Sequence, residues 1–208
     1  MIRIEICGGI ATGKTALAAR LMHHGSFRLV WEKYREVPFW EKFYAAPTKF
    51  ALEKNISFLL FHSDAIREAM ESESGDIVCD FAMFQDLAYA GLSTGEEKDF
   101  EIVQTLYERL ARRIGLPDII IRLKCAPATQ LDRIQRRGRA PERRIPESYL
   151  LQLRENIDEN LDKLTKQHNI RVVDIDTDQC DFVTNSEALA ISSRLGALAQ
   201  AIKTGQTF

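Results

Sequence analysis

The chain has 208 residues, the length of a single domain, which excludes a large multidomain machine. Hydrophobic residues make up 45% of it and charged residues 28%, a balance that excludes wholesale disorder and a coiled coil. Lysine and arginine total 28 against 30 acidic residues, so the formal net charge is -2 and the surface as a whole lacks the positive charge of a nucleic-acid-binding protein. Any phosphate-binding site must therefore be local.

The first elements in the chain are a strand, a glycine loop and a helix. Apolar and polar residues alternate over residues 2–6, two glycines follow, and residues 16–22 have a helical pattern. Residues 27–31 predict a second short strand. The start of the chain lacks the apolar run of a signal peptide, and no segment is apolar enough to span a membrane, so we expect a cytoplasmic protein without a membrane partner.

Helices and strands continue to alternate along the rest of the chain. Residues 38–72 are helical in character, with an interruption at Pro47. Residues 76–80 form a short apolar run closed by a carboxylate, as expected of a buried parallel strand whose carboxyl end emerges at a site. Further helices are predicted from residue 84 and over residues 96–114, 129–137, 146–164 and 187–202, and further strands over 119–123 and 171–175.

This alternation predicts an α/β fold in one domain, residues 1–208, with a five-stranded parallel sheet and helices on both faces. The four cysteines are far apart and lack the spacing of a metal site. We expect reduced and mostly buried thiols at Cys7, Cys79, Cys125 and Cys180.

Residues 8–15 match the pattern G-x-x-x-x-G-K-[ST] directly after a strand and before a helix. Glycines let the backbone wrap around a phosphate, Lys14 reaches the outer phosphates, and the Thr15 hydroxyl binds Mg²⁺. The pattern predicts a P-loop NTPase fold that binds ATP with Mg²⁺, through Gly8, Gly9, Ile10, Ala11, Thr12, Gly13, Lys14 and Thr15. Switches, motors and transferases all contain such a loop, so other residues must distinguish them.

Two acidic residues follow predicted strands at the sheet edge where ligands bind in open α/β folds. Glu32 would accept the proton of a neutral hydroxyl acceptor, whereas it would repel a monophosphate, so it favours an alcohol as the acceptor. A solvated glutamate after a strand is the alternative. Asp80 would hold Mg²⁺ directly or through water, as Walker-B acids do.

Several segments together resemble the deoxyribonucleoside kinase family, from residue 2 to about residue 160. The segments are Glu32, Pro38-Phe39-Trp40-Glu41-Lys42-Phe43-Tyr44, Pro47, Lys49-Phe50-Ala51, residues 133–142, Ile145-Pro146 and Tyr149-Leu150. The resemblance implies that Glu32 is the general base for the 5′-hydroxyl of a deoxynucleoside. It also implies that Tyr44 and Glu142 bind the sugar 3′-hydroxyl, and a homodimer as the assembly.

The nucleoside pocket implied by this resemblance contains further residues. Aromatic neighbours would cover sugar and base, namely Trp31, Phe39 and Phe43. Asn55 stands where the family usually has a glutamine that binds the base, and it keeps that amide's donor and acceptor. Asp80 counts among the nucleoside-binding positions as well.

The sequence departs from the family's pattern at two positions near this pocket. His62 stands where an arginine is common, and Phe81 replaces the arginine that often follows the acid of the third strand. We assign His62 no role on the sequence alone, because a histidine is often a core or surface residue. Asp86 and Tyr89 follow Phe81 in the sequence, and we group them with this difference from the family's pattern.

Six arginines lie between residues 133 and 144. They are similar to the family's lid, which would span about residues 133–145 and close over ATP. By family position, Arg133, Arg137 and Arg139 are the candidates that neutralise the transferring phosphoryl group. A solvated cationic helix end is the alternative, and the net negative charge speaks against a nucleic acid polymer as the partner.

The sequence thus predicts a Mg²⁺-dependent kinase that transfers the γ-phosphoryl group of ATP to the 5′-hydroxyl of a deoxynucleoside for nucleotide salvage. A nucleoside monophosphate kinase similar to thymidylate kinase is an alternative, since Arg35 lies near Glu32. A nucleotide-dependent switch protein is another. The preferred base and the choice between ribose and deoxyribose stay open.

Overall fold

The computed structural model describes residues 1–24, 27–72, 75–178, 182 and 187–204. Its strands are β1 (Arg3–Cys7), β2 (Phe27–Val30), β3 (Asp76–Cys79), β4 (Ile119–Lys124) and β5 (Arg171–Asp176). Its helices are α1 (Lys14–His24), α2 (Trp40–Ala45), α3 (Pro47–Glu71), α4 (Gln85–Ser93), α5 (Glu97–Ile114), α6 (Pro127–Arg137), α7 (Glu147–Gln167) and α8 (Glu187–Thr204). A short 3-10 helix, Ala140–Glu142, lies between α6 and α7.

The strands form one parallel sheet of five, in the order β2-β3-β1-β4-β5. All their carboxyl ends therefore lie at the same edge of the sheet. The loop that follows β1 lies between the segments that follow β3 and β4. The predicted α/β fold with a parallel sheet is confirmed.

Helices cover both faces of this sheet. The side chains of its central strands alternate between the two faces and belong to two buried clusters, one on each face. On one face, Ile4 and Ile6 of β1 pack with Leu17 of α1 and Leu195 of α8. The cluster on the other face contains residues of α3, α4, α5 and α7, with Leu59 fully buried in it. Burial on both faces is what the apolar runs of β1, β3 and β4 predict.

A buried ion pair on β1 fixes the chain after β3. The Arg3 Nε and Glu5 Oε1 atoms lie 3.1 Å apart, and both side chains are buried. Glu5 Oε2 accepts a hydrogen bond of 3.0 Å from the backbone N–H of Met83. This bond ties the segment between β3 and α4 to the central strand.

Every predicted helix and strand is present, and the differences lie at their ends. The helical segment at 38–72 consists of α2 and α3, and Pro47 begins α3, because proline is tolerated in the first turn of a helix. Helix α1 begins at Lys14, two residues before the predicted start, so the end of the glycine loop is already helical. Strand β2 ends at Val30, so Trp31 lies outside it.

Two expectations about the chain's environment can be compared with the described residues. No helix among them has both the length and the apolar character to cross a bilayer. Cys7, Cys79 and Cys125 are buried free thiols, as predicted. Cys180 lies outside the described residues.

Candidate active site

The loop of residues 8–15 wraps tightly between β1 and α1. Gly8 has a φ of +148°, and a Cβ atom there would lie 2.8 Å from the Leu123 carbonyl oxygen, so only glycine fits. Gly13 has a φ of +101°, again in the region that favours glycine. The loop thus approaches its neighbours as closely as a phosphate-binding backbone requires.

Side chains of two other elements brace this loop. Gln85 Oε1 of α4 accepts a hydrogen bond of 2.9 Å from the Gly8 N–H, and Gln130 Nε2 of α6 donates one of 2.8 Å to the Ile10 carbonyl. Lys14 Nζ donates to the carbonyls of Gly8 at 2.8 Å and Gly9 at 3.0 Å. The predicted loop residues therefore form one compact unit with the ammonium of Lys14 folded over it.

Thr15 and Asp80 meet beside the loop. The Thr15 hydroxyl hydrogen-bonds the Asp80 carboxylate, whose Oδ1 atom also accepts a bond of 2.5 Å from the Glu32 N–H. Burial and the charge of Glu32 raise the pKa of Asp80 above its usual value. A hydroxyl and a carboxylate are hard oxygen donors, and Mg²⁺ binds few protein ligands besides phosphates and water, so this pair fits the ion.

Glu32 lies between the phosphate loop and the interior of the fold. Its side chain is 31% exposed, and its Oε1 atom lies 3.5 Å from His62 Nε2. Burial opposes the ionisation of Glu32, but His62, Lys14 and Arg139 together hold its pKa below the usual value. A carboxylate that stays ionised at neutral pH can accept a proton from an alcohol.

His62 connects Glu32 to a second carboxylate. Its Nδ1 atom lies 2.8 Å from Asp86 Oδ2, and its ring stacks on Phe81 with centroids 4.0 Å apart and an interplanar angle of 10°. Burial would lower the pKa of His62, but Asp86 and Glu32 raise it to about 10. The histidine is therefore an imidazolium at neutral pH, held between two carboxylates in the region where the family's pattern has arginines.

A cavity of about 480 Å³ opens next to Glu32. Its walls combine α2, α3, α4 and the segment between α6 and α7, and most of its aromatic lining comes from Tyr34, Trp40, Phe43, Tyr44, Phe58, Tyr89 and Tyr149. Of the aromatic residues predicted to cover a nucleoside, Phe43 lines the cavity. Trp31, which is 44% exposed, and Phe39, which stacks on Phe50, lie outside this lining.

Besides Glu32, three residues predicted to bind the nucleoside line this cavity. Tyr44 packs against Trp40 with ring centroids 5.2 Å apart. Asn55 Nδ2 donates a hydrogen bond of 2.9 Å to Ser93 Oγ. Glu142 is buried and pairs with both Arg137 and Arg139. Asp80, the fifth predicted residue, lies outside the lining, beside the phosphate loop.

The three predicted lid arginines have different surroundings. Arg139 lies over the Tyr34 ring, 4.3 Å from its centroid, and lines the cavity. Arg137 pairs with Glu142. Arg133 instead donates to the Thr177 carbonyl at 2.6 Å and the Ala11 carbonyl at 3.4 Å, so it ties α6 to the loop after β5 and to the phosphate loop.

Sequence reasoning missed one residue of the cavity and left another without a role. Lys54 is buried and lines the cavity, although lysine is usually exposed. A signal was available, since Lys54 and Phe58 lie one helical turn apart on α3, and both line the cavity. No comparable signal exists for His62, whose partners come from the segment after β2 and from α4.

Comparisons with known proteins identify the family. The sequence model of the family described as "Deoxynucleoside kinase" matches residues 4–192. The deoxyguanosine kinase of Bacillus subtilis (strain 168) is 26% identical over 186 residues, which cover 88% of this chain and 89% of the relative. A deoxyadenosine kinase of Dictyostelium discoideum is 26% identical over 154 residues, 72% of this chain and 62% of the relative.

Solved structures share the fold. The structure of deoxyadenosine kinase from M. mycoides with bound dATP superposes with a TM-score of 0.77 at 22% identity, over 93% of this chain and 98% of that one. The same enzyme with bound dCTP gives a TM-score of 0.75 at 20% identity, over 94% of this chain and 100% of that one.

Proposed function

The chain belongs to the deoxynucleoside kinase family, and from this premise we propose that it transfers the γ-phosphoryl group of ATP to the 5′-hydroxyl of a deoxynucleoside held in the cavity. It is a phosphotransferase that acts on a hydroxyl group. The observation that carries the proposal is the position of Glu32, an ionised carboxylate between the phosphate loop and the aromatic cavity.

The proposed chemistry divides between Glu32 and the phosphate loop. The oxygen of the 5′-hydroxyl attacks the γ-phosphorus, and Glu32 accepts the proton of that hydroxyl. The bond between the γ-phosphorus and the leaving ADP oxygen breaks. The amides of residues 8–15 and Lys14 hold the phosphates. Because few covalent steps are involved, catalysis depends on position and charge.

Thr15 and Asp80 are the residues that would hold Mg²⁺. When bound, the ion would supply positive charge that neutralises the charge developing on the phosphate oxygens.

His62 acts as a positioning residue for Glu32. Its imidazolium is fixed by Asp86 and by the stack on Phe81, and it keeps the Glu32 carboxylate both ionised and oriented. An arginine at residue 81, which follows β3, would supply such a cation. In this chain residue 81 is phenylalanine, and the cation is His62 of α3.

Arg137 and Arg139 are the lid residues that we assign to the transferring phosphoryl group. Both side chains are only partly buried, and both form ion pairs with Glu142, which lines the cavity. Arg133 contributes by anchoring the base of the lid, residues 133–145, since its hydrogen bonds run to backbone carbonyls.

The nucleoside is held by the cavity walls. Tyr44 and Glu142 bind the sugar 3′-hydroxyl, and Asn55 binds the base. We propose a purine deoxynucleoside, since the relatives include deoxyguanosine and deoxyadenosine kinases and a cavity of about 480 Å³ with aromatic walls suits a bicyclic base.

We further propose that the enzyme is a cytoplasmic homodimer that serves nucleotide salvage. The family resemblance supports the dimer, and the buried free thiols support a reducing compartment. Light scattering of the purified protein tests the dimer, and a monomer at micromolar concentration would contradict it.

Phosphoryl transfer to a panel of acceptors tests the function. The panel contains deoxyadenosine, deoxyguanosine, deoxycytidine, thymidine and their monophosphates, each with ATP and Mg²⁺. Glu32→Gln should lower kcat by about 10²- to 10⁴-fold with little change in nucleoside KM, because it removes the base and keeps the shape. The matched control is Glu41→Gln on the exposed side of α2, which should keep full activity.

Other outcomes identify the alternatives. Turnover of monophosphates alone would support a nucleoside monophosphate kinase. Slow ATP hydrolysis without transfer to any acceptor would support a switch protein. Unchanged activity of the Glu32→Gln variant would remove the proposed base.

A further inference from the structure

Lys54 is a buried cation that faces the cavity. Its residue is 6% exposed, and it lies on α3 next to Asn55. Its Nζ atom lies 4.6 Å from the centroid of the Phe43 ring and 5.8 Å from those of Phe58 and Tyr89. A charged group in such a place is unfavourable unless another interaction compensates for its lost hydration.

The protein itself compensates only in part. Among the residues that the structure describes, none accepts a hydrogen bond from the Lys54 ammonium, and no carboxylate lies within ion-pair distance. Asp86 contributes an attractive charge, but its carboxylate is hydrogen-bonded to His62. The aromatic rings attract the cation but offer no lone pair. The three N–H donors of Lys54 are therefore available to a ligand in the cavity.

The neighbouring amide has a defined orientation. Asn55 Nδ2 donates to Ser93 Oγ at 2.9 Å, and Ser93 Oγ donates to the Tyr89 carbonyl at 2.8 Å. The Asn55 Oδ1 atom is left as an acceptor. Lys54 and Asn55 both line the cavity, so the one offers donors and the other an acceptor to a ligand between aromatic walls that suit a planar base.

We propose that Lys54 makes the enzyme selective for a 6-oxopurine deoxynucleoside, by donating hydrogen bonds to O6 and N7 of guanine or hypoxanthine. These two acceptors are adjacent on one edge of the base, so one ammonium can reach both. Adenine has an amino group at C6, and its donors would face the donors of Lys54. Asn55 Oδ1 accepts from N1–H of the 6-oxopurine. This inference rests on the proposed deoxynucleoside kinase function.

The test compares kcat/KM for deoxyguanosine, deoxyinosine, deoxyadenosine and 7-deazadeoxyguanosine in the wild type and in Lys54→Met. The wild type should prefer deoxyguanosine and deoxyinosine. Lys54→Met should lower kcat/KM for these two by about 10- to 100-fold, and change that for deoxyadenosine by less than about threefold. The 7-deaza analogue should be a poorer substrate of the wild type but equal to deoxyguanosine in the variant, because only the wild type donates to N7.

Two further variants complete the design. Lys49→Met removes an exposed lysine of the same helix that also lies over an aromatic ring, and it should leave every preference unchanged. Lys54→Gln keeps a donor and the approximate length, so it should retain part of the preference for deoxyguanosine. It also replaces Lys54→Met as the main variant if the latter does not fold.

The outcomes separate this inference from the function on which it rests. A wild type that prefers deoxyadenosine would overturn the inference alone, and so would an equal fall in kcat/KM for all nucleosides in Lys54→Met. A wild type that phosphorylates no nucleoside at all would overturn the proposed function and the inference together.

Discussion

The phosphate loop and the nucleoside cavity are built in different ways. The loop is a contiguous run, residues 8–15, whose shape is set by backbone conformation and by bracing hydrogen bonds from Gln85 and Gln130. The cavity is assembled from side chains of α2, α3, α4 and the lid, residues far apart in the sequence. A site made by the backbone leaves a local pattern in the sequence, whereas a site made by distant side chains does not.

The lysines of the two regions, Lys14 and Lys54, also have different surroundings. Lys14 hydrogen-bonds two carbonyls of its own loop, whereas, within the part of the chain that the structure describes, Lys54 interacts with aromatic rings and at longer range with Asp86. The first lysine thus has hydrogen-bond acceptors within the protein. For the second we have proposed an acceptor on the ligand.

The largest expected effect is on the side of the phosphate loop. Lys14→Met should lower kcat by about 10³-fold for every nucleoside alike, because it removes a cation that stabilises the transferring phosphoryl group. Steady-state kinetics with several acceptors measure this, with Lys33→Met at an exposed position as the control. A loss that depended on the base would contradict the separation of the two regions.

An intermediate effect is expected where the two regions meet, at His62. His62→Gln should lower kcat by about 10²-fold through misplacement of Glu32 and leave the KM for ATP unchanged. His168→Gln, at an exposed histidine, is the control. A kcat equal to that of the wild type would show that Glu32 is oriented without the imidazolium.

His62 also predicts a pH dependence of stability. Its pKa of about 10 lies above the ordinary value of 6.5, so its ion pairs stabilise the fold fully below pH 6.5 and lose this contribution as the pH rises toward 10. The difference in free energy of unfolding between the wild type and His62→Gln should therefore shrink over that range. Urea denaturation at several pH values measures it.

The smallest expected effect concerns stability on the acceptor side. Lys54→Met should raise the free energy of unfolding at pH 7 by about 1–3 kcal/mol, because it removes a buried charge and keeps the packing volume. Burial lowers the pKa of Lys54 to about 8, so the penalty on the fold is present below pH 8 and disappears as the pH rises to 10.5. The gain in the variant should disappear over the same range.

Denaturation of matched variants checks this last expectation. Lys49→Met should change the free energy of unfolding by less than about 0.5 kcal/mol. Lower stability of Lys54→Met at pH 7 would mean that Lys54 is a structural residue, and the contrast between the two lysines would be lost.

The sequence predicts the fold well because its strands and helices have strong periodic patterns, and β1, β3 and β4 are buried on both faces. It also predicts Asp80 beside the loop, since strand ends meet at one edge of a parallel sheet. The positions of Trp31 and Phe39 relative to the cavity are harder to predict. Trp31 follows the end of β2, and Phe39, with a φ of 65°, stacks on Phe50, so both lie outside the cavity lining.

Residues that act through tertiary contacts lie beyond such reasoning. His62 acquires its charge from Glu32 and Asp86, which approach from two other elements. The sequence within a few residues of His62 contains no pattern that predicts these two contacts. Lys54 was accessible through helical spacing, but only if a lysine between two phenylalanines is treated as buried.

Strand β2, which leads to Glu32 and α2, is an edge strand that pairs with β3, whereas β1 pairs on both sides. Helix α2 has no buried residue, whereas every residue of β1 is buried. Substitutions on α2 therefore disturb fewer packed neighbours than substitutions on β1 do, and a mutant library aimed at α2 should yield more folded variants. Under the proposed function, such a library would change one wall of the nucleoside cavity while the phosphate loop keeps its sequence.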